Sequence, residues 1–185
     1  MRVFEKPGPI NTDETCRIGI DRAVLLRAPI VSATTEGASG ARVCEIAKEL
    51  GYQGDIIIVT HAYGSKEPGI NAMNDEDRKS LIAYGARLVT AAHALSGAER
   101  GISTRFQGAY PVEIIAHTLR MLSHGIKVAV EIGCIALDAG EISYGSEIVC
   151  MGGTGHGLDT AVVMTPAHAN RIFETKIHEI LCMPK

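Results

Sequence analysis

The chain has 185 residues, of which 46% are hydrophobic and 21% charged, and a formal net charge of −3. This length and balance indicate one folded domain over residues 1–185 and exclude a disordered chain. Lysine and arginine are scattered without a polybasic run, which argues against nucleic acid as a partner. No apolar stretch is long enough to span a bilayer and no signal peptide is visible, so we expect a cytoplasmic protein with no membrane partner.

Apolar periodicity, capping residues and glycine stops predict helices alternating with short buried strands. Alternation of this kind indicates a mostly parallel sheet covered by helices on both faces, with ligands beyond the carboxyl ends of the strands. In chain order, the predicted elements are a helix at residues 11–26, a strand at 29–32, a helix at 41–50, a strand at 55–60, a helix at 74–84, a strand at 87–90, a helix at 111–124, a helix at 127–139, and strands at 147–151 and 160–164.

The sequence pattern is ambiguous or irregular in several segments. Residues 127–139 suit either a strand or a buried helix, and we favour the helix because Ala129, Ala136 and Ala139 are poor strand residues. The tail at 173–183 alternates loosely and is expected to add an edge strand. Residues 61–73 and most of 91–109 are predicted as loops.

Residues 32–40 combine glycines and hydroxyl groups between a predicted strand and a predicted helix. Glycines expose backbone N–H groups, hydroxyls add donors, and the helix N-terminus carries partial positive charge, which together suit a phosphate. We expect Thr34, Thr35, Gly37 and Ser39 to form this site. The alternative is an ordinary capped turn, because the segment matches neither a Walker motif nor G-x-G-x-x-G.

A long loop follows the clearest strand and begins with Thr60 and His61. Long loops that follow buried strands often carry function, so Thr60, His61, Tyr63 and Gly64 are candidate ligand contacts. His61 is a candidate acid–base residue, and the alternative is a structural histidine that caps the strand end.

The strand at 87–90 is followed by a similar pattern, in which His93 comes shortly after Thr90. His93 is the second candidate acid–base residue. Further along, Arg100 and Arg105 are suited to neutralise an anion, and solvated arginines are the alternative.

Residues 152–160 hold four glycines within six positions, a composition that costs chain entropy unless the backbone must approach something closely. We therefore expect Gly153, Thr154 and Gly155 to contact a ligand, while Asp159 supports the loop. A glycine-rich hairpin without a ligand is the alternative.

The remaining histidines and the cysteines fit structural roles. His117, His124 and His178 lie on predicted helix or strand faces. The five cysteines are well separated, and those inside apolar stretches are expected to pack as small hydrophobes. No zinc signature occurs, so no metal is expected. The cysteines are Cys16, Cys44, Cys134, Cys150 and Cys182.

Nine stretches together carry a resemblance to a known family. They are Asn11-Thr12-x-x-Thr15, Ile30-Val31-Ser32-Ala33-Thr34-Thr35-Glu36-Gly37, Ile58-Val59-Thr60-His61, Gly64-x-x-x-Pro68-Gly69, Thr90-x-x-His93-Ala94-Leu95-Ser96-Gly97, Tyr110-Pro111-x-Glu113-Ile114-Ile115-Ala116-x-Thr118-Leu119-Arg120, Gly125-Ile126-Lys127-Val128-Ala129-Val130-Glu131-Ile132, Asp138-Ala139-Gly140 and Gly152-Gly153-Thr154-Gly155-x-Gly157-x-Asp159-Thr160-Ala161. In this order they resemble the C-terminal α/β domain of pyruvate kinase and, over nearly the whole chain, its free-standing prokaryotic, mainly archaeal, relatives.

The resemblance implies a three-layer α/β/α sandwich of about five mostly parallel strands. In pyruvate kinase the corresponding loops hold a phosphorylated sugar effector, and the free-standing relatives point to flavin mononucleotide (FMN) as the ligand. The chain lacks the catalytic barrel that holds metal, phosphoenolpyruvate and nucleotide in pyruvate kinase. Pyruvate kinase activity is therefore not expected.

The residues and the resemblance are compatible with three functions. The first is binding of FMN or another phosphorylated small molecule, with Tyr63, Phe106 and Tyr110 as aromatic residues able to cover a ring. The second is an enzyme that uses His61 and His93, either a flavin-dependent oxidoreductase or a small phosphatase- or lyase-like protein. The third is a regulatory partner protein that senses a metabolite. A homo-oligomer is compatible with all three.

Overall fold

The computed structural model describes all 185 residues. None of the helices has the length and apolar character needed to span a bilayer. The elements are β1 (Arg2–Phe4), α1 (Thr12–Leu26), β2 (Ile30–Thr34), α2 (Ala38–Glu49), β3 (Ile56–Thr60), α3 (Asp75–Ala83), β4 (Arg87–Thr90), α4 (Gly97–Phe106), α5 (Pro111–Arg120), α6 (His124–Asp138), β5 (Ile148–Gly152), β6 (Thr160–Thr165) and β7 (Lys176–Pro184), with short 3₁₀ helices at Pro9–Asn11 and Ala169–Glu174.

The strands form one sheet in the order β1-β7-β6-β5-β2-β3-β4. Four neighbouring pairs are parallel, and only β6 runs antiparallel to its two neighbours. The predicted α/β class with a mostly parallel sheet is confirmed. The sheet has seven strands, against about five expected, because β1 and β7 extend it at one edge.

Alternate residues of each strand enter different cores, as the two-residue period of a strand requires. Val149 and Met151 of β5 pack with α1 and α2 on one face, whereas Cys150 packs with α6 on the other. Helix α5 covers α6 from outside through a small cluster of Leu95, Ala116 and Val130. The layers are therefore helix, sheet and helix, as predicted.

The chain order of the strands reverses at β2 and creates a crevice there. Strands β2, β3 and β4 pair in succession on one side of β2, and the chain then crosses through α4, α5 and α6 to β5 on the other side. Because β2, β3, β4 and β5 are mutually parallel, their carboxyl ends meet at one edge of the sheet. Open α/β sheets bind ligands at such a switch point.

The structure resolves the ambiguous segments and corrects two predictions. The helix favoured at 127–139 is confirmed by α6 (His124–Asp138). The boundary between the helices predicted at 111–124 and 127–139 was placed too late: α5 ends at Arg120, and the Ser123 side chain accepts a hydrogen bond from Ile126 N (3.0 Å) and caps α6. A mostly loop structure at 91–109 was also wrong: α4 lies there, and none of its residues is buried, so it leaves no apolar stripe in the sequence.

The predicted C-terminal strand exists as β7, but it does not form the edge of the sheet. The short strand β1 pairs in parallel outside it, with Arg2 opposite Cys182. Three residues with a mixed burial pattern give too short a signal to be predicted from periodicity.

All five cysteines are free and buried, as expected for cysteines that pack as small hydrophobes. Cys44 and Cys150 lie within core clusters, and Cys134 is fully covered. Burial raises the pKa of the Cys134 thiol to about 12, together with the nearby Asp138 carboxylate. The thiols therefore stay protonated at neutral pH and are poor nucleophiles.

Candidate functional site

A cavity of about 1030 Å³ opens at the carboxyl edge of the sheet. It lies over the ends of β2, β3 and β5, with α2, α4 and α6 forming its walls. Its volume is slightly above the roughly 300–1,000 Å³ that is typical of small-molecule sites. The cavity lining includes these predicted residues: Thr34, Thr35, Ser39, Thr60, His61, Tyr63, Gly64, His93, Arg100, Gly153 and Gly155.

Three predicted contact residues do not line the cavity. Arg105 lies five positions after Arg100 on α4, which turns it by about 140° around the helix axis and away from the cavity wall. Gly37 is buried beneath Asp77 and supplies the positive φ of +107° needed to enter α2. Thr154 uses its N–H to bind Asp159 Oδ2 at 3.2 Å.

The threonines and the serine of the loop before α2 have different roles. Thr34 Oγ1 accepts hydrogen bonds from Gly37 N (3.1 Å) and Gly40 N (3.4 Å), so this side chain caps the helix. The hydroxyls of Thr35 and Ser39 form no hydrogen bond within the protein and lie on the cavity wall. The capped-turn alternative therefore describes Thr34, while two free donors remain beside it.

The threonines that end β3 and β4 support the site from below. Thr60 and Thr90 lie opposite each other, and their hydroxyl oxygens are 2.7 Å apart. Arg78 Nη1 also donates to Thr90 Oγ1 at 3.2 Å. Thr60 lines the cavity, but these contacts already use its hydroxyl.

The glycine-rich segment connects β5 and β6 as a hairpin, because these strands pair antiparallel. Its glycines serve packing as well as access to the cavity. A Cβ on Gly153 would overlap the carbonyl of Gly157, and a Cβ on Gly157 would overlap Pro9, whereas Gly155 faces open space. The close approach inferred from the composition is thus partly an approach of the protein to itself.

Asp159 holds this loop in place, as its predicted supporting role requires. Its carboxylate is fully buried and accepts hydrogen bonds from Gly8 N (2.9 Å), Thr154 N (3.2 Å) and Thr160 Oγ1 (2.9 Å). Three donors on one buried carboxylate fix both the hairpin and the segment before α1.

His61 and His93 come together, although 32 positions separate them in the chain. Their ring centroids are 4.9 Å apart in an edge-to-face arrangement. Burial, followed by the nearby His93, lowers the pKa of His61 below its ordinary range, and this outweighs the opposing charge of Glu131. His61 is therefore neutral at neutral pH.

Sequence reasoning missed an ion pair on the cavity wall between Lys127 and Glu131. Lys127 Nζ lies 2.6 Å from Glu131 Oε2, and the two side chains are only 6% and 4% exposed. Glu131 Oε2 also lies 3.2 Å from His93 Nδ1. The signal was present as two opposite charges four positions apart in an otherwise apolar helix, where i and i+4 share a face.

The pKa values of this pair reflect burial opposed by pairing. Burial would raise the pKa of Glu131, but hydrogen bonds from His93 and Lys127 and the Lys127 charge lower it to about 2. Burial lowers the pKa of Lys127, and the Glu131 carboxylate only partly offsets this. With an ionised carboxylate 2.6 Å away, Lys127 carries its charge at neutral pH.

We expect acid to remove the contribution of Glu131 to stability in a defined pH range. Its folded pKa lies below the ordinary value of 4.5, so the stabilisation is complete above that value and is lost as pH falls from about 4.5 to about 2. The shift corresponds to roughly 3 kcal/mol. Urea unfolding across this pH range checks it: Glu131→Gln should show a shallower pH dependence than the wild type, and identical profiles would contradict it.

The cavity wall carries more positive than negative charge. Four cationic side chains line it, against the carboxylates of Glu36 and Glu131. Lys66 pairs with Glu36 at 2.6 Å and Lys127 pairs with Glu131, whereas Arg100 and Arg120 have no ion-pair partner. His124, assigned a structural role from the sequence, also lines the cavity. The net charge suits an anionic ligand.

Comparison with known proteins gives little further guidance. No protein-family profile matches the sequence. Among solved structures, the chain is similar to the crystal structure of O-ureido-L-serine synthase, with 18% identity and a TM-score of 0.31. The match covers 60% of this chain and 29% of that one. A likeness of this extent carries no argument about fold or chemistry.

Proposed function

We propose that the protein binds a phosphorylated small molecule in the cavity at the carboxyl edge of the sheet, with FMN as the leading ligand. One observation carries the proposal. The free hydroxyls of Thr35 and Ser39 lie at the N-terminus of α2 on the wall of a 1030 Å³ cavity. Hydroxyl donors and the partial positive charge of a helix N-terminus together favour a phosphate.

The rest of the cavity supports the same proposal. Gly153 and Gly155 also line it, so the backbone of the β5–β6 hairpin is within reach of a bound molecule. Arg100 and Arg120 supply positive charge without an ion-pair partner. A phosphate monoester carries close to two negative charges at neutral pH, and such a wall stabilises it.

Among the loop aromatics, Tyr63 is the candidate to cover a flavin ring, because it lines the cavity. Phe106 ends α4 and Tyr110 precedes α5, and both lie outside the cavity lining. The identity of the ligand as FMN rests on the resemblance to free-standing relatives of the pyruvate kinase C-terminal domain. We infer that the chain is one of these relatives and that these 185 residues by themselves have no pyruvate kinase activity.

Replacing Thr35 with alanine should weaken FMN binding and leave riboflavin binding unchanged. A hydrogen bond to a charged group contributes roughly 1.5–3 kcal/mol, so the Kd for FMN should rise about tenfold or more. Riboflavin has no phosphate and therefore accepts no hydrogen bond from the Thr35 hydroxyl. Isothermal calorimetry with both ligands checks the prediction.

Thr154→Ala is the matched control, because Thr154 is a threonine of the β5–β6 hairpin that does not line the cavity. It should leave the affinity for both ligands within about twofold of the wild type. Equal weakening of FMN and riboflavin by Thr35→Ala would show that Thr35 supports the loop shape and does not contact phosphate.

The pairing of His61 with His93 favours a second candidate function, an enzyme such as a flavin-dependent oxidoreductase. Two imidazoles with ring centroids 4.9 Å apart line the same cavity as the proposed phosphate site. Adding NADH or NADPH without oxygen to the FMN-loaded protein should bleach the yellow flavin if it is such an oxidoreductase. An unbleached flavin would count against this class.

A further inference from the structure

Glu131 accepts hydrogen bonds from two donors of the protein, one on each carboxylate oxygen. Its Oε1 accepts Leu95 N at 2.9 Å, and its Oε2 lies 2.6 Å from Lys127 Nζ. Helix α6 supplies both charged residues, while Leu95 belongs to the segment after β4 that also carries His93. The carboxylate therefore ties the cavity wall formed by α6 to the loop that holds the histidine.

The contact between Glu131 and His93 favours one of the two tautomers of the His93 ring. Glu131 Oε2 lies 3.2 Å from His93 Nδ1, and an ionised carboxylate can only accept a hydrogen bond. A negative charge at this distance favours the proton on His93 Nδ1, which leaves the lone pair of the neutral ring on Nε2. No group of the protein hydrogen-bonds to Nε2, and the side chain is 32% exposed on the cavity wall.

We propose that Lys127, Glu131 and His93 form a proton-transfer centre, in which Glu131 is a positioning residue that presents the unprotonated Nε2 of His93 to the ligand. The inference rests on the proposed function, since it assigns a chemical group to the same cavity. It adds a requirement on the ligand or on a second substrate. That molecule carries an acidic O–H, N–H or activated C–H beside His93.

The transfer balances within the site. The X–H bond of the ligand breaks, its electron pair stays on X, and an N–H bond forms at His93 Nε2. The imidazolium then faces the Glu131 carboxylate, which stays ionised because Lys127 and Leu95 N also bind it. His61 lies edge-to-face against the ring and is neutral, so it adds no competing positive charge.

The ionisation state of the carboxylate agrees with this role. The pKa of Glu131 is about 2 despite its burial. A carboxylate at this pKa does not take the proton from His93 near neutral pH. Lys127 is the group that makes a buried charged carboxylate tolerable next to the cavity.

Two-dimensional NMR of the histidine ring nitrogens in the ligand-free wild type tests the inference directly. Above the pH at which the ring is neutral, we expect His93 to be in the Nδ1–H form, whereas solvent-exposed histidines favour the Nε2–H form. Diethyl pyrocarbonate acylates the lone pair of a neutral ring, so it should modify His93 at Nε2. A wild-type His93 in the Nε2–H form would overturn the proposal without any variant.

Glu131→Gln should shift His93 towards the Nε2–H form that exposed histidines favour, and it should slow acylation at Nε2 in proportion to the loss of the Nδ1–H form. Glu36→Gln is the matched control, because Glu36 is the other carboxylate on the cavity wall and pairs with Lys66. It should leave both signals unchanged. If Glu131→Gln does not fold, the double variant Glu131→Gln/Lys127→Met removes the unpaired cation and is measured in its place. A variant that folds and keeps the wild-type tautomer would overturn the role of Glu131.

Calorimetry with FMN separates this inference from the proposed function. If His93 is in the Nδ1–H form and FMN does not bind, flavin binding fails while the proton-transfer centre stands. If FMN binds and His93 is in the Nε2–H form, the proton-transfer centre fails alone.

Discussion

Replacing Lys127 with alanine is expected to lower the free energy of unfolding by about 3–5 kcal/mol. Lys127 is almost fully buried and its ammonium lies 2.6 Å from Glu131 Oε2. Its removal leaves a buried carboxylate that has lost its only full positive partner, and the low-dielectric surroundings make this costly. Urea unfolding followed by circular dichroism measures the change.

Lys66→Ala provides the matched control for this prediction. Lys66 lies on the same cavity wall and forms an equally short ion pair with Glu36, but both side chains are largely exposed. Exposed pairs contribute about 0–1 kcal/mol, so the variant should unfold at nearly the wild-type urea concentration. A similar loss of unfolding free energy in both variants would show that burial does not strengthen the Lys127–Glu131 pair.

Gly157→Ala should destabilise the fold more than Gly155→Ala, although both glycines have similar positive φ angles of +73° and +74°. A side chain in this left-handed region costs about 1–2 kcal/mol at either site. At Gly157 the new methyl group would also overlap Pro9 and lie 2.6 Å from Thr12 Oγ1. Overpacking of this kind adds about 1–3 kcal/mol.

Thermal and urea unfolding measure the stability of the Gly157→Ala and Gly155→Ala variants. The difference between them isolates packing from backbone strain, because the strain is common to both. Equal stability would mean that the segment before α1 moves aside at no cost, and that the glycines of the hairpin are needed for another reason. FMN affinity measured on the same proteins shows whether Gly155, which faces open space beside the cavity, tolerates a methyl group.

The fold was largely predictable where strands are buried on both faces. β3 appears in the sequence as an unbroken β-branched run, and glycines mark the ends of several helices. Helix α4 could not be found in this way, since no residue of it is buried and apolar periodicity is the main sequence signal of a helix. The break between the helices at 111–124 and 127–139 was predicted at Gly125 and lies at Ser123, because a capping serine between two helical patterns is a weak local signal.

The candidate site was predicted loop by loop, and the parallel sheet brings most of those loops to one edge. The residues that make its chemistry specific were harder to find. Glu131 and Lys127 lie in a helix that is buried along most of its length, where a sequence pattern does not distinguish a core helix from a cavity wall. Thr34 caps α2, whereas the hydroxyl of Thr35 is free. The sequence does not distinguish these two roles, because they depend on the orientation of each side chain.

The central claim is that the cavity recognises a phosphate group, and one comparison of affinities tests it most directly. The wild-type protein is titrated calorimetrically with FMN and with riboflavin, two ligands that differ only by the phosphate group. We expect FMN to bind about tenfold or more tightly than riboflavin, as charged hydrogen bonds from the α2 loop require. Equal affinity for the two ligands, or binding of neither FMN nor any other phosphorylated compound, would contradict the claim.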